Sequence, residues 1–444
     1  MNEKEIATNI VKKLQDAGHI AVFAGGCVRD QVMGRTPKDY DVATSASPDE
    51  VEELFGHTLP VGKAFGVIIV IVYNLQFEAA TLRTDSDTSD GRRPDSVKYT
   101  SSLKEDASRR DFTMNAMFFD PIENKLFDFF GGVDDIQNSI IRFVGDPEKR
   151  IKEDALRMMR AIRFTVSLDF DLEVSAGQAV TKLSSSIVKI SFERVKMELD
   201  KILLARNPSI GFRLLKTCGI LSIILEEVNE LILVDQSPKW HTEGSTWKHT
   251  MLALNEARKH TDDLDVLWGT LLHDIGKAKC STIVEGIIKH LGHASIGAEM
   301  AEEVMNRFKA SSSHRDTAVA IVKDHMRIKH ASKMKRSTLR RLMAETYFDK
   351  LVTVSHADSM ASTPADPEDG INKFDWLNRI NEMKEELKNE VVLPKCIIGG
   401  KDLIELGLEP SPRFTTILTC IMNLQLDGVV STREQAITVA KEMI

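Results

Sequence analysis

Two aspartates two residues apart, Asp39 and Asp41, follow the turn Gly25-Gly26-Cys27-Val28-Arg29-Asp30, which closes at Gly34. Adjacent glycines after a strand let the backbone approach a phosphate and direct amide groups at its oxygens. Arg29 adds positive charge at the same place. If residues 39–43 form a strand, both carboxylates project from one face. Carboxylates so placed suit Mg²⁺, which prefers oxygen ligands and completes its shell with substrate phosphates. Two ions there would activate an attacking hydroxyl and stabilise a leaving pyrophosphate. A glycine pair alone reads as a turn, and a spaced aspartate pair alone as solvated surface. Their combination in one strand–turn–strand is the specific signal.

A second set lies far downstream. His249 is followed by Leu271-Leu272-His273-Asp274-Ile275-Gly276-Lys277, then His293, His325 and His356-Ala357-Asp358. An aspartate inside so apolar a segment needs a partner, because an unpaired buried charge is costly. A divalent transition metal with histidine nitrogen and carboxylate oxygen ligands supplies one. His273 and Asp274 are the clearest candidate ligands; His293 and His325 also read as ordinary structural histidines, and His356 is not taken as a ligand. A metal-bound water in such a site attacks phosphoesters.

The elements that must carry these residues fall into a mixed head and a long helical body. Within residues 1–135, Phe23, 67–73, 77–81 and 116–119 have the Val, Ile and Phe content of strands among glycine turns. Residues 151–166 and 192–204 space their apolar positions as helices do. Near the start, Ile6, Ile10, Val11 and Leu14 share one helical face. A turn-rich junction begins at Ser362-Thr363-Pro364, and the region after Pro394 reads as a short helical tail. The expected domains are 1–135, 136–225, 226–360 and 361–444.

Composition bounds the rest. The chain has 444 residues, 42% hydrophobic and 28% charged, an ordinary globular balance with room for several cores. Its formal charge of −8 excludes a nonspecific polyanion binder, so nucleic-acid contact would be confined to a basic patch. Arg327, Lys329, Lys333, Lys335, Arg336, Arg340 and Arg341 form the best such run; a solvated basic helix is the other reading. No apolar stretch approaches the ~20 residues that span a bilayer, so no membrane role is expected. The 5 cysteines show no CxxC spacing, which fits a reducing, cytoplasmic setting.

The pattern GGxxRDxxxGxxxxDxD resembles the nucleotidyltransferase head of the class II tRNA CCA-adding enzyme and poly(A) polymerase family. Arg83-Thr84-Asp85 with Asp90-Gly91-Arg92-Arg93-Pro94 resembles its flexible loop. Arg109-Arg110-Asp111-Phe112-Thr113-Met114-Asn115 resembles its ribose and triphosphate motif. Glu153-Asp154-Ala155-Leu156-Arg157 matches its EDxxR motif, and Ser191-Phe192-Glu193-Arg194-Val195 resembles the last neck motif. The likeness is dense over the first 205 residues. Beyond them, the spaced histidines and aspartates resemble an HD phosphohydrolase domain, whose fuller pattern implies the ligands His249, His273, Asp274, His293, His325 and Asp358 for one ion or for two bridged by Asp274, and residues 398–414 resemble the family's C-terminal module.

The resemblance implies an α+β chain: a polymerase-beta-like head, an all-α neck, an HD body and a tRNA-binding tail. It implies that Asp39 and Asp41 hold catalytic Mg²⁺. It also implies a nucleotide-binding set of Gly26, Arg29, Arg83, Arg109, Asp111, Asn115, Asp154, Arg157, Arg160 and Arg163. Placed at i and i+3 on one helix, Asp154 and Arg157 would share a face and read a base's Watson–Crick edge. The implied activity is CCA addition to tRNA from CTP and ATP. An HD domain beside it either hydrolyses phosphoesters or is catalytically silent and positions RNA. Residues 61–68 have the tRNA-enzyme form rather than the basic run of poly(A) polymerases, and retention of 90–94 disfavours CC-only addition. An A-adding enzyme with a separate CC-adding partner, a poly(A) polymerase, an HD hydrolase as the main activity and a non-catalytic tRNA-binding factor stay open. So does the choice of monomer or homodimer.

Overall fold

A computed structural model describes residues 2–85, 97–239, 241–284, 287–366, 373–388 and 390–444. The chain divides into two compact units, Met1–Ile224 and Leu225–Ile444. The expected loop segment 90–94 lies outside the described residues.

The first unit opens with helix α1 (Glu3–Asp16), capped by Asn2, whose face of Ile6, Ile10, Val11 and Leu14 is buried. Strand β1 (Ala21–Ala24), helix α2 (Gly26–Val32) and strand β2 (Val42–Thr44) follow, then α3 (Pro48–Leu54) and β3 (Thr58–Leu59). β4 (Val67–Val72) and β5 (Leu75–Thr81) form a hairpin. Its two-residue turn, Tyr73-Asn74, holds both residues at positive φ (51° and 63°), the twist that suits a tight hairpin. β6 (Arg83–Asp85) and β7 (Val97–Tyr99) pair outside the main sheet. Helix α4 (Leu103–Ser108) leads to β8 (Phe118–Asp120) and β9 (Lys125–Phe127). The main sheet has the order β3-β4-β5-β2-β1-β8-β9. One layer of its core joins Val22, Ala24, Ala43, Leu82 and Phe118.

The helical part of this unit comprises α5 (Gly132–Gln137), α6 (Pro147–Glu153), α7 (Leu156–Leu168), α8 (Val174–Leu183), α9 (Phe192–Leu203), α10 (Pro208–Thr217) and α11 (Leu221–Ile224), with the short parallel pair β10 (Ile140–Ile141) and β11 (Asp171–Leu172). Two sequence expectations change here. The strand expected from 39 begins only at Val42, so the two aspartates lie on the chain leading into it. The helix expected over 151–166 is two helices, broken at Asp154 and Ala155.

The second unit is mainly helical: α12 (Glu226–Glu230), α13 (Thr246–His260), α14 (Leu264–Leu272), α15 (Lys277–Cys280), α16 (His293–Arg307), α17 (Ser312–Ile328), α18 (Arg336–Met343), α19 (Phe348–Ala361) and α20 (Asp375–Glu386). An antiparallel hairpin, β12 (Ser281–Val284) with β13 (Ile287–His290), interrupts them where only helix was expected. The tail, α21 (Gly400–Glu405), α22 (Pro412–Leu426) and α23 (Arg433–Glu442), buries its own small core around Leu403, Ile417 and Ile421. Among the described residues, no helix is long and apolar enough to cross a membrane.

Candidate functional sites

Asp39 and Asp41 flank Tyr40, which is buried against Phe23 with ring centroids 5.2 Å apart. Tyr40 is thus buried between an exposed Asp39 and a half-buried Asp41. β2 runs parallel to β5 with Val42 opposite Ala79, which brings Glu78 beside Asp41. Burial raises the Asp41 carboxyl, and the charges of Glu78 and Asp39 push it further, to about 7; only Arg110 opposes them. A divalent cation would stabilise the charged form of Asp41 in this setting. Glu78 lies outside the sequence expectation because no motif joins it to residues 39–41; the strand register does.

Gly25 starts α2 at φ 73°, and a Cβ there would stand 3.3 Å from the Arg110 guanidinium. The turn thus needs glycine for both its backbone and its neighbour. Arg29 lies within α2, holds Asp30 and donates Nη1 to Asn115 Oδ1 at 3.0 Å. Asn115 Nδ2 reaches Asp111 Oδ1 at 3.3 Å, and Arg160 Nε donates to Asp111 Oδ2 at 2.7 Å. Burial would raise the Asp111 carboxyl, yet Arg160 and Arg157 hold it below the usual carboxylate range. Arg163 pairs with the buried Glu198 at 2.7 Å. The guanidinium groups of Arg29, Arg160 and Arg163 sit 5.4, 5.5 and 3.6 Å from the Phe164 ring. The phenyl face attracts such cations. In sequence Phe164 reads as one more core residue.

The structure separates Arg83 and Arg109 from that chain. Asp106, with a side chain 1% exposed, binds Arg109 Nη2 at 2.6 Å, Arg110 Nη2 at 2.9 Å and the Arg83 amide at 3.2 Å. Asp106 is the hub of the segment, and it lies outside the sequence expectation.

Asp154 and Arg157 do not share one helical face. Asp154 is the extended C-cap of α6 (φ −150°, ψ 106°), whereas Arg157 belongs to α7. The Asp154 side chain competes for the backbone: Oδ1 accepts the Leu156 amide at 3.0 Å, which starts the next helix. Oδ2 accepts from Arg194 at 2.7 Å. Arg157 donates Nη1 to Arg150 O and Glu153 Oε2, and Nη2 to Arg109 O. The break thereby aims Asp154 and Arg157 from two helix ends.

In the second unit six side chains converge from four helices and the turn after α14. His249 (α13), His273, Asp274, His293 (first residue of α16), His325 (α17) and Asp358 (α19) are all buried. Their Nδ1 atoms are anchored: His273 to Thr270 O at 2.7 Å, His293 to His290 O at 2.7 Å and His325 to Val322 O at 2.6 Å. A carbonyl only accepts, so these three Nδ1 atoms carry the proton and the Nε2 atoms face inward. His293 Nε2 and His325 Nε2 stand 3.2 Å apart. Burial holds both rings below the usual histidine value, His325 at about 3. Two neutral rings so tautomerised present lone pair to lone pair. His273 Nε2 is buried without a hydrogen-bond partner, while Asp274 Oδ2 meets the Lys277 ammonium at 2.7 Å. Inward-facing imidazole nitrogens around a buried carboxylate fit a cation.

Asp274 faces both ways. Its Oδ2 is 3.2 Å from His273 Nε2 and 3.9 Å from His249 Nε2; its Oδ1 is 3.5 Å from His293 Nε2 and 3.8 Å from His325 Nε2. Two groups of close ligand atoms result: His249, His273 and Asp358, and Asp274, His293 and His325. A cavity of about 880 Å³ opens onto Asp274, His293 and Asp358, with Lys277, Lys329 and Trp376 in its walls. His356 lies elsewhere, its ring between His260 and Phe374 at 5.4 and 5.6 Å.

Gly276 explains how the cluster closes. A Cβ there would meet His293 O at 2.1 Å and Gly297 N at 2.6 Å, so only glycine admits the start of α16 beside Asp274. Glu243, absent from the sequence expectation, also meets the cluster. Burial works against its ionisation, but His241 and His249 hold its carboxyl at about 2.

The basic run of 327–341 is divided rather than presented as one surface. Arg340, 3% exposed, donates to Val391 O and Val392 O. Arg341 holds Asn423, and Arg336 reaches Leu426 O and Glu386. These arginines fasten the tail, while Lys329 and Lys333 line the cavity.

Comparison with known proteins adds three family matches. Residues 21–142 match the family described as Poly A polymerase head domain. Residues 169–232 match the probable RNA and SrmB-binding site of polymerase A, and residues 246–362 match the HD domain. The CCA-adding enzyme of Ligilactobacillus salivarius is 39% identical over 272 residues, 60% of this chain and 66% of that protein. The CCA-adding enzyme of Staphylococcus aureus (strain MRSA252) is 45% identical over 213 residues, 48% and 53% of the two chains. The matches span about half to two thirds of the length of these relatives. The solved Bacillus stearothermophilus CCA-adding enzyme in complex with CTP is 28% identical, with TM-score 0.73 over 98% of this chain and 95% of that one. The Thermotoga maritima CCA-adding enzyme complexed with tRNA shares the fold at 18% identity, TM-score 0.63, over 99% and 95% of the chains.

Proposed function

We propose, from the premise that the chain belongs to the class II CCA-adding enzyme family, that it adds C, C and A to tRNA 3′ ends from CTP and ATP. The observation that carries this reading is the acidic pair of the head, exposed Asp39 and half-buried Asp41 on the chain entering β2, with Glu78 on the neighbouring strand β5. Mg²⁺ held by Asp39 and Asp41 would supply Lewis-acid stabilisation to the triphosphate and the 3′ hydroxyl. The 3′ oxygen bonds to the α-phosphorus as the bond to pyrophosphate breaks. Arg29, Asn115, Asp111 and Arg160 form a connected row of donors and acceptors that suits a ribose and its phosphates. Gly26, Arg83, Arg109 and Arg163 join this set through the family pattern.

Base choice falls to Asp154 and Arg157. Each Asp154 oxygen already accepts one hydrogen bond and has a second lone pair free for a base amino group. Three guanidinium protons of Arg157 are engaged, which leaves Nε–H and one Nη2–H for a base acceptor. Primer extension tests the assignment on tRNAs ending at the discriminator base, at C and at CC, with CTP, ATP or both. Addition of C, C and A to the shortest primer supports it. Addition of A only to the CC-ended primer makes the chain an A-adding enzyme. A long A tail on any RNA makes it a poly(A) polymerase.

A second activity is favoured by one specific observation, the inward-facing Nε2 atoms of the HD cluster, that of His273 buried without a hydrogen-bond partner. His249, His273, Asp274, His293, His325 and Asp358 would hold divalent transition metal, a fit for mixed imidazole and carboxylate donors. Such a centre hydrolyses phosphoesters, here in a cavity walled by Lys277 and Lys329. Phosphate release that needs His273 but not Asp39 supports this activity. Its absence across Mn²⁺, Co²⁺ and Ni²⁺ would leave the domain a silent RNA-positioning body.

A further inference from the structure

Three histidines of the HD cluster anchor Nδ1 on the main-chain carbonyl three residues earlier. His249 does not. Its Nδ1 lies 3.0 Å from Glu243 Oε1, a carboxylate whose side chain is 5% exposed. We propose that Glu243 is the positioning residue of this centre and makes its two ion positions unequal. An ion held by His249, His273 and Asp358 binds more tightly than one held by Asp274, His293 and His325. The proposal rests on the reading of these six residues as a metal centre.

Three features point the same way. A buried carboxylate behind a histidine fixes the tautomer and strengthens the other nitrogen as a ligand more than a neutral carbonyl does. His249 Nε2 then faces Asp358 Oδ1 at 3.0 Å. Glu243 also fastens a second ligand of the same position. Its Oε2 accepts the Thr363 amide at 3.1 Å, while Thr242 donates both its amide and its hydroxyl to Thr363 O at 2.9 Å. Thr363 lies two residues beyond α19, the helix that carries Asp358. Finally, charge is unevenly shared. Asp274 turns one oxygen to each position and shares the one facing the first with Lys277 at 2.7 Å, whereas Asp358 adds a second carboxylate to the first position alone and gives its other oxygen to Lys329 at 2.6 Å.

His241 Nδ1 also reaches Glu243 Oε1, at 2.7 Å, so His241, Glu243 and His249 form a third group of close ligand atoms. An ion there would need the Nδ1 of His249 while Nε2 serves its neighbour, making that ring a bridging imidazolate. With Nδ1–H given to Glu243, the centre takes two ions rather than three.

The test is a Co²⁺ titration of the chelator-stripped full chain, followed by calorimetry and visible absorption. Excess Mg²⁺ keeps the carboxylates of the head occupied. Wild type should bind Co²⁺ in two unequal steps. Glu243→Gln keeps the acceptor but removes the charge, and should weaken the tighter step about 10- to 100-fold without moving the weaker one. Thr242→Val loosens the strap to Thr363 but leaves Glu243 on His249, and should weaken the tighter step far less than Glu243→Gln. His293→Ala should lose only the weaker step, which keeps the test decisive if Glu243→Gln does not fold. One ion, three ions or two equal steps in wild type would overturn the proposal. So would Thr242→Val reproducing the effect of Glu243→Gln, or Glu243→Gln leaving the tighter step unchanged. No Co²⁺ binding at all would refute the metal-centre reading itself.

Discussion

Asp106→Asn should cost the first unit about 3 kcal/mol, because removing one partner from a buried ion pair strands the other. Asp106 is 1% exposed and neutralises two guanidinium groups, those of Arg109 and Arg110, whose side chains are 21% and 18% exposed. That partial access to water and the amide's remaining acceptor place the cost at the lower end of the range of roughly 3–5 kcal/mol. The pH dependence has a definite sign. Burial favours the neutral acid, but Arg110 and Arg109 prevail and hold the folded carboxyl below its ordinary value. The unfolded chain takes up this proton near about pH 3.9. The stabilisation is therefore complete well above that pH and is lost as pH falls through the folded value. The gap between wild type and Asp106→Asn should stay constant from pH 7 to about 5 and narrow below about 4. Tryptophan fluorescence cannot follow this unit, since Trp240, Trp247, Trp268 and Trp376 all lie in the second. Cys27, 2% exposed in the first unit, can. Its alkylation along a urea gradient, quantified by mass spectrometry, should show the midpoint fall by about 1–2 M. A variant within 0.5 M of wild type (about a quarter of the expected effect), or a gap that does not narrow at acid pH, would refute the account of Asp106 as a charged hub.

Gly276→Ala places a Cβ 2.1 Å from His293 O, so α16 must move. It should destabilise the second unit by about 3 kcal/mol in tryptophan-detected unfolding, abolish Co²⁺ binding at the HD centre and leave the alkylation profile of Cys27 unchanged. Arg340→Met leaves the carbonyls of Val391 and Val392 without their donor. It should cost about 2 kcal/mol and expose residues 390–396 to limited proteolysis. Asp39→Ala should abolish nucleotide incorporation while tRNA retention in a gel-shift assay stays near wild type. Arg157→Ala should relax the choice between CTP and ATP more than it raises the KM for either, measured in single-nucleotide extension.

What the sequence disclosed, and what it concealed, follows from the range of the contacts. Gly25, Asp39 and Asp41 were legible because a turn and a strand fix their relation within 17 residues. His273 and Asp274 were legible because a charge in an apolar helix demands a partner wherever the chain goes. Glu78 and Glu243 were not. Glu78 meets Asp41 only through the parallel register of β2 with β5, and Glu243 joins Thr363 across 120 residues. The apolar spacing over 151–166 correctly asks for helix, but it carries no trace of Asp154 capping the next turn with its own side chain. The basic run misleads for the opposite reason. Sequence counts its charges as equals, whereas packing buries Arg340 against the tail and leaves Lys333 exposed. In both units the residues hidden from sequence hold the legible ones in place: Asp106 holds Arg109, and Glu243 holds His249. Motifs record which groups do chemistry; the long-range charge that orients each group is written only in the fold.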